Sequence, residues 1–189
     1  MSDTVDAAPA ALARLVEFVN TRRADGDAIG TPEQLTNWLR THELLPEGSA
    51  DTAAQQRTVR VREGLRALLA TNNAEPVTSP RPDGLNPAAR AELAALTVAL
   101  PLTLDVTSTP PRLVPHTNDH VDHALATLLA DVATAVAAGT WSRLKTCREP
   151  SCRWAFYDHS RNRGRTWCSM DVCGNRVKVR ASHRRNAAR

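Results

Sequence analysis

Four cysteines, all between residue 147 and the C-terminus, constrain this chain more than any other feature: Cys147-x4-Cys152-x15-Cys168-x4-Cys173. Two close pairs, separated by enough chain to go out and return, suit one tetrahedral ion, each pair gripping two vertices from a tight turn. Four thiolates leave no open coordination position, so such a site is structural in type, and one Zn²⁺ is the expected occupant. Structural zinc contributes on the order of 10 kcal/mol to folding, ample for a module whose buried area alone is insufficient. The x4 gaps are wider than the common x2. Disulfides, free thiols, an iron–sulfur cluster and a redox-active zinc site stay open beside structural zinc; a reducing compartment favours metal over disulfides.

The residues around the cysteines suggest how the turns are built. Trp154, Phe156 and Asp158 alternate as in a strand, Ser160–Gly164 supplies a turn, and Arg165–Cys168 is read as the returning strand. The second pair falls at the start of a last helix, with Ser169 as N-cap. On that helix Val172, Asn175, Val179 and Ser182 share a face expected to pack on Trp154, Phe156 and Trp167, while Arg176, Arg180 and Arg184 form a guanidinium row opposite. Gly174 is expected to let the backbone pass close to the metal. Ser182–Arg189 reads as a solvated tail in the absence of a partner.

Charge divides the chain at the same place. Residues 141–189 carry 13 Lys+Arg against Glu149, Asp158 and Asp171, a net of +10, whereas residues 1–140 net −6. An acidic body with a basic arm points to a polyanionic partner. Five of the seven aromatic residues also lie between Trp141 and Trp167, as expected of a tiny core filled by few large side chains. No apolar run is long enough for a transmembrane helix and the first residues are acidic, so no membrane association and a cytoplasmic location are expected.

The first 140 residues read as mostly helical. Leu12, Leu15, Val16 and Val19 form one stripe, and that helix should run down near Thr21–Gly26. Thr31-Pro32-Glu33-Gln34 is a capping box with proline at N1, opening a helix to about Leu45. A longer helix spans about Ala50–Asn73, with Arg57, Arg60 and Arg66 toward solvent. A proline-rich loop at 75–86 precedes a helix over about 87–97. Leu100–Thr107 and Arg112–Pro115 suggest a hairpin, and a helix from Asp119 to about Ala138 ends on Gly139. The fold class is therefore α+β, mainly helical: a helical domain with one β-hairpin (1–139), then a small treble-clef-like or ribbon-like zinc finger with a basic tail (140–189).

Cys173-Gly174-Asn175-Arg176, preceded by Trp167-Cys168-Ser169-Met170, resembles the signature of the CGNR zinc finger family. The resemblance runs over Cys147–Arg185 and includes Phe156-x-Asp158-x-Ser160-Arg161-Asn162. It departs at Thr166, where a second basic residue is expected before the tryptophan. The resemblance implies that the four cysteines are zinc ligands and that the protein binds nucleic acid as a bacterial transcription regulator. Phe18-Val19-Asn20-Thr21 and the arginines that follow are similar to the helical, stress-related ABATE domain that usually precedes this finger.

Arg161, Arg163, Arg165, Arg176, Lys178, Arg180, Arg184 and Arg185 are the candidate nucleic-acid contacts, since guanidinium groups serve phosphates and guanine edges alike. One or two of them could instead balance a zinc tetrathiolate. His120 and His123, beside Asp119 and Asp122, are weighed as metal ligands against ordinary helix-start acids. Asn20, Arg22 and Arg23 are weighed as ligand contacts against helix-end polar residues. No phosphate-binding glycine loop, nucleophile elbow or acid–base pair is found, so the reading is not an enzyme. It is a zinc-dependent DNA-binding regulator of double-stranded DNA, its body a sensor or homodimerisation module and a candidate for a small-molecule effector. RNA binding and a zinc/redox protein-interaction module are the alternatives.

Overall fold

The structure, a computed structural model, describes residues 8–23, 25–73 and 88–187, without the side chains of Ala10, Ala181, Ser182, Arg184, Arg185 and Ala187. The loop expected at 75–86 lies outside these residues. In chain order the elements are α1 (Ala10–Val19), β1 (Arg22–Arg23), β2 (Gly26–Asp27), α2 (Pro32–Thr41), α3 (Thr52–Ala70), α4 (Ala88–Thr97), β3 (Leu102–Asp105), β4 (Arg112–Pro115), α5 (His120–Ala137), β5 (Leu144–Thr146), β6 (Ala155–Tyr157) and α6 (Asn175–Ala187). Among the described residues the strands pair as three antiparallel hairpins, β1–β2, β3–β4 and β5–β6. The mainly helical expectation holds.

Local chemistry sets the helix ends. The Thr31 hydroxyl accepts from the Gln34 N–H, and the Gln34 side chain accepts from the Thr31 N–H, completing the capping box. Helix α2 stops at Thr41 rather than near Leu45 because Glu43 turns left-handed at φ 57° and the Leu44 N–H closes on the Leu39 carbonyl. Asp51 caps α3 and Asp119 caps α5, each carboxylate accepting from the amide three residues on. Gly139, at φ 66°, ends α5 as its spacing suggests. The core lies among α1, α2, α3 and α5, filled by Leu12, Leu15, Leu39, Leu65, Leu125 and Leu128 among others.

Helix α3 departs from its amphipathic reading. Arg60 is exposed, but Arg57 turns to Asp122 at 2.7 Å, and Arg66 is buried. Arg62, absent from the sequence-level picture, is wholly buried. Its guanidinium forks onto Asp27 at 2.6 and 2.9 Å and reaches Thr21 at 3.1 Å and Glu63 at 2.9 Å. A buried guanidinium is tolerable only when paired in this way, and the arrangement ties β2 and the end of α1 to α3.

The cysteine-bearing region does not stand apart. Leu144 and Ala155 belong to the body's own core. Hairpin β5–β6 has two open edges, and side-chain amides of the body cover both. Asn20, following α1, accepts from the Ala155 N–H at 2.8 Å and donates to its carbonyl at 2.9 Å. Beyond the end of α3, Asn72 donates to the carbonyls of Trp141 (2.9 Å) and Leu144 (2.8 Å), and Asn73 to that of Thr146 (2.8 Å). Arg66 donates to the Val19 carbonyl and, at 2.8 Å, to that of Arg153. These partners give the buried edges the bonds that a third strand would have made.

Two expected outcomes follow from this packing. Helices α3 and α4 approach so closely that a Cβ at Gly64 would stand 2.5 Å from the Leu93 Cβ and 2.9 Å from the Ala89 carbonyl oxygen. Gly64→Ala should therefore destabilise by about 1–3 kcal/mol in urea unfolding, through forced separation of the two helices. Asn20→Ala leaves the buried Ala155 N–H and C=O unpaired and should cost about 2–4 kcal/mol in the same measurement.

Candidate metal centre

Hairpin β5–β6 brings up the first cysteine pair. The Cys147 N–H donates to the Trp154 carbonyl at 2.8 Å, so the chain leaves β5 and re-enters toward β6 with Cys147 and Cys152 on the connecting knuckle. The knuckle closes on itself through Cys152 N–H to the Glu149 carbonyl (2.9 Å), and Arg153 takes a left-handed φ of 52° to leave it. The second pair comes from the entrance to α6. Ser169 caps that turn by accepting from the Val172 N–H, and the amides of both Cys173 and Gly174 bond back to the Ser169 carbonyl, a wider turn than an α-helix makes. A Cβ on Gly174 would fall 2.5 Å from the Met170 sulfur. The glycine thus makes room for the Met170 thioether, and its own amide is spent on the turn rather than on a sulfur.

The four Sγ atoms lie within 4.8 Å of one another, and none of the cysteines is in a disulfide. Cys152 and Cys168 are 3.6 Å apart, Cys168 and Cys173 3.7 Å. Tetrahedral Zn–S bonds of about 2.3 Å put sulfurs about 3.8 Å apart, so the cluster fits one Zn²⁺. Backbone amides of Glu149 and Cys168 aim at the Cys147 sulfur, and that of Trp154 at the Cys152 sulfur. Such donors favour thiolates, but sulfurs this close cannot all ionise alone. A shared proton with Cys152 pushes the Cys147 thiol up to about 12, and Cys147 and Cys152 together push Cys168 up as well. A divalent cation at the centre removes that conflict.

Two buried carboxylates brace this centre. Glu149, inside the first knuckle, accepts from the Ser151 hydroxyl at 2.7 Å and forms an ion pair with Arg180 of α6. Arg180, then Ser151, hold its carboxyl below the usual range against the opposing effect of burial. Asp158 has no exposed surface. One of its oxygens accepts from the Ser160 N–H (2.9 Å) and hydroxyl (2.6 Å), the other from Lys145 (2.7 Å) and the Arg165 N–H (3.0 Å). Lys145, equally buried, also donates to the Arg163 and Arg165 carbonyls. The 158–165 turn is therefore folded around one ion pair. Its only trace in the sequence is Asp158-x-Ser160, an Asx-turn spacing.

Several expectations change here. Arg165–Cys168 does not return as a strand beside β6; that place is taken by β5, and the segment is held instead by single contacts such as the Arg148 amide to the Thr166 carbonyl at 3.1 Å. Val172 and Val179 do not pack on the aromatics but are 55% and 54% exposed. The nearby aromatics are engaged elsewhere: Phe156 lies under Arg165 at 5.2 Å, and Trp154 under Arg23 at 5.6 Å. Helix α6 also continues through Ala187, where a tail was expected. Asn20 is an edge cover, and Asn175 donates to the Asp171 carbonyl at 3.1 Å. His120 and His123 join no metal-binding group; the cysteine cluster is the only one of three or more such residues among those described.

The candidate nucleic-acid contacts divide. Arg165 is tied to the Trp167 and Cys168 carbonyls, Arg180 to Glu149, Arg176 to the Ser151 hydroxyl at 3.3 Å and Arg163 to the Ser142 hydroxyl at 3.1 Å. Arg161 and Lys178 are exposed with no hydrogen-bond partner among the described residues. The Arg184 and Arg185 side chains lie outside them. Arg176 and Arg180 thus hold α6 to the first knuckle while keeping part of the guanidinium in solvent.

Neutralising Asp158 tests the brace. Burial raises its carboxyl, but Lys145, then Ser160, outweigh that and bring it below the ordinary value of 3.8. A depressed folded value means that the stabilisation is complete above about pH 4 and is lost as pH falls through the folded value. Asp158→Asn, which strands Lys145, should cost about 3–5 kcal/mol at neutral pH. The gap to the parent should narrow below about pH 4 in unfolding curves taken at each pH.

Compared with known families, residues 143–186 match the CGNR zinc finger. Residues 12–139 match ABATE, described as a putative stress-induced transcription regulator. No curated protein matches the chain.

Proposed function

Because the chain belongs to the ABATE family of putative stress-induced transcription regulators and carries a CGNR zinc finger, we propose that it is a zinc-dependent DNA-binding regulator. In this reading Cys147, Cys152, Cys168 and Cys173 hold one structural Zn²⁺. Residues 140–189 form the nucleic-acid module, and residues 1–139 form a sensor or dimerisation module.

The observation that carries the reading is helix α6. It spans 13 residues with five Lys or Arg and no acid, and its described residues are exposed apart from the half-buried Val177. A helix without an apolar seam gains little from its own chain, so its charge and shape are explained by a polyanion laid against it. Width favours duplex DNA, since the major groove admits an α-helix whereas the deep, narrow groove of duplex RNA does not. Arg161, Arg163, Arg176, Lys178, Arg180, Arg184 and Arg185 supply the phosphate and base-edge donors. Arg165 is assigned a bracing role, because its guanidinium is spent on two carbonyls. The centre's contribution is positional: Glu149 and the cysteine pairs fix where α6 leaves the knuckle.

Selection of bound sequences from a random duplex pool with zinc-loaded protein tests this, and a shared sequence among the survivors is the expected result. Affinity should fall with salt at a log–log slope of about −5 if roughly six phosphates are contacted. Arg161→Ala with Lys178→Ala, neither needed by the fold, should reduce that slope by about 2. Zinc should be present at one per chain, and its chelation should abolish binding. No duplex binding at low salt by a zinc-loaded chain would reject the reading, and preference for single-stranded RNA would turn it to the alternative.

A further inference from the structure

Two cavities open where the body meets the finger, and the side chain of Arg23 lines both. One, of about 430 Å³, is walled by Trp38 and His42 of the body and Trp154 of the finger. The other, of about 530 Å³, is walled by Arg22, Arg66 and Arg153, with Glu63 as its one acid. These volumes are those of small-molecule pockets, which favour the junctions of structural units. A duplex would need a convex or open track instead.

Charge and ring chemistry then narrow the occupant. Glu63 is committed, one oxygen to Arg62 at 2.9 Å and the other to Arg66 at 3.0 Å. Arg66 is committed in turn, to Glu63, Val19 and Arg153. Arg22 and Arg23 are exposed, with no hydrogen-bond acceptor among the described residues. Arg22 is near enough to Asp27 to help lower its carboxyl and Arg23 lies over Trp154, so both guanidinium groups are partly engaged while their hydrogen-bond donors stay open at the basic cavity. The other cavity is lined by pairs that already stack: Trp38 lies against His42, ring centroids 4.0 Å apart, and the Arg23 guanidinium lies 5.6 Å over the Trp154 ring, its outer side toward solvent. Rings and a guanidinium plane stack on planar π-systems, and paired guanidinium forks take carboxylates or phosphates.

We propose that this cleft binds a small planar aromatic anion, its ring stacked against the outer side of the Arg23–Trp154 pair and its charged group on the guanidinium donors of Arg22 and Arg23. An aromatic carboxylate and a mononucleotide share that chemistry. Arg22 and Arg23 bind the ligand, and Trp154, two residues beyond Cys152, makes the knuckle part of the same wall. The proposal stands whether or not the finger binds DNA, because it concerns a surface that α6 does not line.

The test uses the full zinc-loaded chain without DNA. Salicylate and adenosine monophosphate are titrated separately, followed by tryptophan fluorescence and calorimetry, with benzyl alcohol and inorganic phosphate as controls. One of the two aromatic anions should bind saturably, one per chain, at least tenfold more tightly than either control, and which of them does so identifies the source. Arg23→Gln should weaken binding tenfold or more, Arg22→Gln less, and Arg23→Lys should restore part of the loss. Zinc content and far-ultraviolet dichroism should stay at parental values, since both side chains are exposed. Three results would overturn the proposal: no saturation by either anion at millimolar concentration, controls binding as tightly, or parental affinity in the doubly substituted Arg22→Gln/Arg23→Gln protein.

Discussion

The rest of the structure depends on two backbone edges finding hydrogen bonds away from water. A two-stranded hairpin as short as β5–β6 is marginal alone, and burying it would strand the outward N–H and C=O groups of each strand. Asn20 meets both outward groups of Ala155, and Asn72 and Asn73 meet the carbonyls of Leu144 and Thr146. Each unpaired buried group would cost about 1–3 kcal/mol, so the three amides decide whether the hairpin can sit in the core. Once it does, Leu144 and Ala155 complete the apolar cluster of the body, and the knuckle is held at a fixed place on the body's surface.

Metal and protein then divide the work. The hairpin delivers one cysteine pair already oriented, and the Ser169 turn delivers the other. Four sulfurs brought this close repel one another as thiolates, which makes the apo arrangement electrostatically costly and the zinc-bound one favourable. The two ion pairs have separate tasks: Lys145–Asp158 shapes the long connection between the cysteine pairs, and Glu149–Arg180 ties the emerging helix back to the first knuckle. Part of the strong positive charge of this region is thereby internal. Charge counted along the sequence overstates what is offered to a partner, since Lys145 has no exposed surface to speak of and Arg165 is spent on carbonyls.

The spacing of the cysteines, the Gly174-Asn175-Arg176 signature and the capping residues Thr31, Ser169 and Gly139 were legible in the sequence. Each is a local rule: its physical partner lies within a few residues, or, for the cysteines, is an ion that demands four equivalent donors. The boundaries of α1, α3, α4 and α5 follow from the same local logic. The strand partner of β6 was misread because the spacing suggested the following segment, whereas the preceding one pairs with it and leaves the long connection free to wrap around Asp158. The unpacked Val172 and Val179 were misread because helical periodicity reports a face without reporting whether anything lies opposite.

What the sequence determined by itself is the zinc-finger chemistry, the mainly helical body and the separation of charge, all set by residue type and short-range spacing. Only the tertiary structure decided which polar residues go inside. Arg62, Arg66, Lys145 and Asp158 look like surface residues in any window of sequence, and are buried because partners 13 to 87 positions away satisfy them. Only the tertiary structure, likewise, set Arg23 over Trp154 and made one cleft from two parts of the chain. Long-range pairing of this kind has no periodicity, so no local pattern announces it.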